Sequence, residues 1–252
     1  MKAPLFELCA ETLQAAHAGE RGGAGRIELC ARLEISGITP SQSLTAVVVQ
    51  ALSIPVHVLI RPRGGDFAYS ASEFTLMRQQ VQWVRASGAA GVVLGILLPD
   101  GHVDVSRSRE LVELARPLKV TFNRAFDEAS DLDKALEAVI ATGSDCLLTS
   151  GGAADVHTGA ARIAQLLRQA GDRIEIMAGG GLKLASLAEL LERTGVRGLH
   201  GSLTRRPQEC DRQRTNGHPA AGNADILEAD VRAAVNLLHR YFAVNGIRAG
   251  AR

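Results

Sequence analysis

Two short segments of the chain end alike, in Phe-Glu-Leu-Cys (6–9) and Ile-Glu-Leu-Cys (27–30). If both are strands, side chains alternate between faces. Glu7 and Cys9 then share one face, as do Glu28 and Cys30, with Leu8 and Leu29 on the other. Two carboxylates and two thiols would converge from neighbouring strands. Carboxylates tuned by nearby charges serve as general acids and bases. They serve equally as structural ion-pair partners, here of Arg61 or Arg124. The cysteines could be small core residues, since free Cys is among the most buried types.

A second group of residues points to anions. Arg61-Pro-Arg-Gly-Gly-Asp66 places Arg61 and Arg63 on one face if the chain stays extended, with His57 deeper on the same parity. Phe122-Asn-Arg-Ala-Phe-Asp127 adds Arg124. Guanidinium groups bind carboxylate or phosphate in two-pronged fashion. Three further segments end in small residues: Thr149-Ser150-Gly151-Gly152, Ala178-Gly179-Gly180-Gly181 and His200-Gly201-Ser202. Such loops can cradle phosphate on backbone N–H groups with help from Ser150 and Ser202, or can simply make tight turns. Glu7, Glu28, Asp66, Asp127 or His200 would be the acid or base beside a bound anion. His57 reads as a satisfied core histidine. No HExxH or two-His-one-carboxylate spacing is visible, which leaves a zinc or non-haem iron site without a sequence signature.

The elements that must position these residues follow from hydrophobic periodicity. Strands are predicted at 5–9, 26–30, 56–61, 91–97, 119–123, 145–150, 174–178 and 198–202, and helices near 11–21, 41–52, 72–87, 105–115, 131–142, 158–170, 184–194 and 225–242. Thr39-Pro40-Ser41 puts a proline near one helix start, and Ser70-x-x-Glu73 reads as a capping box. Gly88, Gly143, Gly171 and Gly195 stand where helices end. Strict alternation requires parallel strands with helical crossovers. Eight units of about 30 residues fit a (β/α)8 barrel, an α/β fold in one domain over 1–252, better than a doubly wound sheet. No G-x-G-x-x-G opens the first helix. In such barrels the chemistry lies at the C-terminal ends of the strands, where the residues above fall. The polar stretch 203–224 reads as a long loop after the eighth strand.

The 252 residues carry 28 Lys+Arg against 27 Asp+Glu and only 4% aromatics. So even a balance argues against a nucleic-acid partner, which selects a basic excess and stacking surfaces. The longest run that tempts a membrane reading, 88–99, is far short of the about 20 residues a span requires. The N-terminal segment lacks the apolar core of a signal peptide, and the four cysteines form no C-x-x-C pair. Free thiols in a reducing cytoplasm are the expectation.

From IRPRGGDFAYS (60–70) outward, the sequence resembles the CutC copper-homeostasis family. RIELC (26–30), GITPS (37–41), VTFNRAFD (120–127), LLTSGG (147–152), MAGGG (177–181) and LHGS (199–202) carry the resemblance in order over roughly 5–202. The resemblance implies a cytosolic TIM barrel and a homo-oligomer. It also implies a copper site made, in some members, by one cysteine on each of the first two strands. Cys9 and Cys30 occupy those positions, and two thiolates suit the soft ion Cu(I). One departure matters. The family usually reads F-H-R-A-F-D, and here the histidine is Asn123, whose amide neither transfers protons near neutral pH nor favours soft metals.

Two functions therefore stand side by side. One is Cu(I) binding by Cys9 and Cys30. The other is an enzyme or sensor for a small anionic metabolite, phosphorylated or not, bound by Arg61, Arg63, Arg124, Ser150, Gly151, Gly179, Gly180, Gly181 and Ser202.

Overall fold

The computed structural model describes residues 3–203 and 223–250. Eight strands, β1 (Leu5–Ala10), β2 (Arg26–Leu29), β3 (Val56–Leu59), β4 (Gly91–Leu94), β5 (Lys119–Phe122), β6 (Cys146–Thr149), β7 (Glu175–Gly179) and β8 (Gly198–Gly201), pair in parallel in that order. They close on themselves through β1 and β8. The expected barrel is the observed one.

Helices α1 (Leu13–Arg21), α2 (Gln42–Ala51), α3 (Ala71–Ala86), α4 (Val105–Ala115), α5 (Leu132–Thr142), α6 (Ala160–Ala170) and α7 (Leu187–Thr194) make the crossovers. α8 (Asn223–Gly250) follows β8. Their ends obey local chemistry. Thr12, Ser41, Asp104 and Asp131 accept backbone N–H groups at helix starts. Ser70 and Glu73 form a reciprocal capping box. Ser41 caps α2, so Pro40 precedes the cap instead of opening the helix. Gly143 and Gly195 end α5 and α7 in the left-handed conformation. β3 and β4 are shorter than their apolar runs, because Ile60–Arg61 and Gly95–Leu97 leave the sheet to shape the loops above it. Of the expected polar loop, 204–222 lies outside the described residues. Among the described residues no helix is long and apolar enough to cross a membrane.

Alternation along the strands builds two layers. Leu8, Ile27, Leu29, Val58, Val92 and Leu199 join one large apolar cluster with the helices. The opposite parity faces the barrel axis. There Cys9, Cys30, Leu59 and Val93 pack together, as do Cys146, Leu148 and Met177. Between these small groups sit Glu7, Arg26, Glu28, His57 and His200. A polar belt in a barrel interior is costly unless its members satisfy one another.

Candidate functional site

The belt is built by strand register. Glu7 lies beside Arg26 on β2 and beside His200 on β8, while Cys9 lies beside Glu28, and Glu28 beside His57. Glu7 is fully buried. Its Oε2 accepts a hydrogen bond from Arg26 Nε, and its Oε1 lies 2.7 Å from His200 Nδ1. Burial alone would raise the Glu7 pKa, but the Arg26 charge and the His200 contact prevail and hold it well below the usual carboxylate range. Burial depresses His200, and the opposing pull of Glu28 and Glu7 overcomes it, so the imidazole ends with a raised pKa.

Above Glu7 the two thiols meet. Cys9 Sγ lies 3.4 Å from Cys30 Sγ and 3.5 Å from Glu28 Oε1. The bond to Cys30, burial and the Glu28 charge all push the Cys9 thiol well above its ordinary pKa. Glu28 is itself raised by burial, against the pull of His200. Its Oε2 is buried with no hydrogen-bond partner among the described residues. Cys9, Glu28 and His200 each bring a ligand atom within 4.8 Å of the others. His57 is in the core as expected, but its Nδ1 has no partner among the described residues, and burial lowers its pKa to about 4. Its ring fits because Gly91 has no side chain: a Cβ there would stand 2.5 Å from Nε2.

This cluster forms the floor of a cavity of about 980 Å³ at the C-terminal ends of the strands. The rim differs from the sequence reading. Arg61 lines the cavity but is 4% exposed, and it donates to the carbonyls of Ile35, Ser36, Gly37 and Gly65 at 3.0, 3.3, 2.8 and 2.6 Å. It pins the loop after β2, where Arg32 and Ser36 hold left-handed backbone, to the loop after β3. Arg63 does not share the cavity face, because the chain turns after Arg61. It bonds Glu73 and Asp66 and lies over Tyr69. Asp66 reaches the cavity edge, held in that pair.

Asp127 proves to be a keystone. Its carboxylate accepts from Thr149 Oγ1 at 2.5 Å, from the Ser150 and Gly152 amides, and from Arg124 Nε at 2.8 Å. Gly151 N–H is held by Thr149. The backbone donors expected to cradle an anion after β6 are thus engaged by the protein itself. Ser150 is buried beneath Arg124 NH2, at 3.1 Å. Of the three glycines, Gly179 clears Leu148 and His200, and Gly180, at φ 111°, clears the Arg124 guanidinium. Gly180, Gly181 and Ser202 do line the cavity, together with Arg124 and Lys183.

One of the two readings open to Glu7 and Glu28 from the sequence paired them with Arg61 or Arg124. The partners of Glu7 are Arg26 and His200 instead, because register places them one strand away on either side. Arg26 was legible: it shares parity with Glu28 and Cys30. Lys183 carried no signal beyond following the glycine run. Asn123, which stands where the family has histidine, caps the turn after β5 by accepting Ala125 N–H at 2.9 Å, and packs against Gly95.

Comparison with known proteins bears on this arrangement. Residues 4–205 match the CutC family. The family protein CutC of Chromobacterium violaceum is 45% identical over 213 residues, covering 84% of this chain and 86% of its own length. The copper homeostasis protein cutC homolog of Mus musculus is 45% identical over 198 residues, covering 79% and 73%. Among solved structures, the CutC protein of Streptococcus agalactiae superposes with a TM-score of 0.75 at 32% identity, covering 79% of this chain and 98% of that one. A 4-hydroxy-2-oxoglutarate aldolase superposes at 0.58 with 15% identity over 92% and 94% of the two chains, a likeness of fold alone.

Proposed function

The chain belongs to the CutC family, and from that premise we propose that it is a cytosolic copper-homeostasis protein whose cargo, Cu(I), is held by Cys9 and Cys30. The 3.4 Å approach of the two sulfurs carries this reading. Thiolates are the donors that soft Cu(I) selects. Both sulfurs sit against Leu59 and Val93 at the floor of a cavity, so an ion entering from the mouth meets soft donors backed by apolar side chains. Both thiols are free, as is Cys146, which accords with a reducing compartment. The mouse relative is named for copper homeostasis, in the same sense.

An anaerobic Cu(I) titration against a competing chelator tests the assignment. The parent should take up one ion tightly, and the Cys9→Ser/Cys30→Ser variant should fail to compete. Equal retention by the two proteins would remove the site.

The cavity also favours a second reading, a small anionic ligand above the cysteines. The Arg124 side chain is 39% exposed and, with Lys183, faces that space. Arg61, Arg63, Ser150 and Gly151 give this reading little support: the Arg61 Nη atoms, the Arg63 guanidinium, the Ser150 hydroxyl and the Gly151 amide are engaged within the protein, while the buried Arg61 Nε has no partner among the described residues. Inorganic phosphate and small phosphorylated compounds should raise the melting temperature of the parent and leave that of Arg124→Ala unchanged. No shift with any anion would dispose of it.

A further inference from the structure

We propose that Glu28 and His200 join Cys9 and Cys30 in a four-donor site that takes a divalent ion of borderline softness, Zn²⁺, as well as Cu(I). The inference rests on the cysteines being ligands, and it adds a donor set and an ion that the sulfur pair alone would not select.

Thiolate–metal bonds of about 2.3 Å place two sulfurs roughly 4.6 Å apart on a linear two-coordinate ion and roughly 3.8 Å apart on a tetrahedral one. The observed 3.4 Å is nearer the tetrahedral value. An ion bound with little strand movement is therefore bent between the sulfurs and open to further donors.

Those donors are present. One ligand atom from each of Cys9, Glu28 and His200 already falls within 4.8 Å of the other two. Glu28 is 5% exposed, and its Oε2 has no hydrogen-bond partner among the described residues. A buried carboxylate oxygen left without a partner is costly, and a cation would satisfy it. Its other oxygen, Oε1, accepts a hydrogen bond from the Cys9 thiol at 3.5 Å, so the two ligand groups face one point.

His200 is gripped at Nδ1 by Glu7, and Glu7 in turn by Arg26. A carboxylate behind one ring nitrogen fixes the tautomer and leaves the other nitrogen free to ligate, the supporting arrangement found around metal-bound histidines. Gly179 supplies the room for this ring, since a Cβ there would lie 2.9 Å from His200 Cβ. Cys, His and carboxylate are the donors of tetrahedral zinc sites. The spacing rules give no sign of this set because its members come from three strands, β1, β2 and β8, joined only by barrel closure.

Co²⁺ is the probe that distinguishes the geometry. Reduced, metal-free protein is titrated anaerobically with Co²⁺ and then with Zn²⁺, while Cu(I) affinity is measured in parallel by chelator competition. The parent should give the intense visible bands of tetrahedral Co²⁺ with thiolate charge-transfer absorption, displaced by Zn²⁺. Glu28→Gln and His200→Gln should each weaken Zn²⁺ by about tenfold or more and shift the visible bands. Testing both variants guards against one that folds poorly. Weak octahedral Co²⁺ spectra in the parent, or both variants binding Zn²⁺ like the parent, would overturn the proposal. Cu(I) binding without Zn²⁺ would sink this inference and leave the copper reading standing. Tetrahedral Co²⁺ and Zn²⁺ binding without Cu(I) would do the reverse.

Discussion

Glu7 and His200, separated by nearly the whole length of the barrel sequence, meet at 2.7 Å where β8 closes onto β1. The same carboxylate holds Arg26 from β2. One buried acid thus ties three consecutive strands across the seam of the barrel and sets the imidazole beside the thiols. The floor of the cavity and the closure of the fold depend on the same side chain.

Replacing that acid should therefore be expensive. Glu7→Gln keeps the shape but leaves Arg26 buried without its counter-charge, and breaking one partner of a buried pair costs about 3–5 kcal/mol. Urea unfolding at neutral pH should show a loss of this size. The pH dependence carries the sign. Glu7 titrates lower in the folded protein than in the unfolded chain, so its contribution is present above the ordinary value of 4.5 and is lost as pH falls below it. The parent should lose stability on acidification through that range, and Glu7→Gln should lose less.

Glu28 has the opposite sign. Burial raises its pKa, so the folded state favours the neutral acid, and its contribution is lost as pH rises through the folded value. Glu28→Gln mimics the neutral acid at every pH. Thermal unfolding of the metal-free protein at pH 8 should move to higher temperature in Glu28→Gln than in the parent. A lower melting point would mean that the carboxylate is stabilised in the metal-free site.

The barrel was legible because eight apolar runs alternate with amphipathic helices, and because parity along β1 and β2 separates Leu8 and Leu29 from Glu7, Cys9, Glu28 and Cys30. The cysteine pairing follows from the same parity. What stayed hidden depends on register and on loops. Nothing in the order of residues says that Glu7 stands between Arg26 and His200, since parallel pairing is fixed by barrel closure and not by local spacing. Arg61 and Arg63 looked alike in a continued strand, but the chain turns between them and sends one to four carbonyls and the other to Glu73 and Asp66. Asp127 offered itself as an acid or base, yet its oxygens anchor the loop after β6.

His57 and Gly91 form a steric pair deep in the barrel. Gly91→Ala would press a methyl group into the imidazole, at 2.5 Å from Nε2 if nothing moved. Overpacking of this kind costs about 1–3 kcal/mol. On a His57→Ala background the same substitution should cost much less, giving a coupling energy of about 0.5–3 kcal/mol in a double-mutant cycle. Additive costs would mean that the ring is not what excludes a side chain at Gly91.

Copper affinity should depend on pH through the thiols. The Cys9 thiol is raised by its bond to Cys30, by burial and by Glu28, so it is protonated at neutral pH and must release its proton to solvent as the sulfur binds the metal. Chelator-competition measurements between pH 6 and 8 should show Cu(I) binding that tightens by about tenfold per pH unit for each proton released. A flat profile would indicate ligands that carry no proton to displace.

X-ray absorption at the copper edge, on protein loaded anaerobically with one equivalent of Cu(I), tests the central claim most directly. A shell of two sulfur atoms is expected around the copper, and it should disappear in Cys9→Ser/Cys30→Ser. A first shell of nitrogen and oxygen alone, or the same sulfur shell in the double variant, would contradict it.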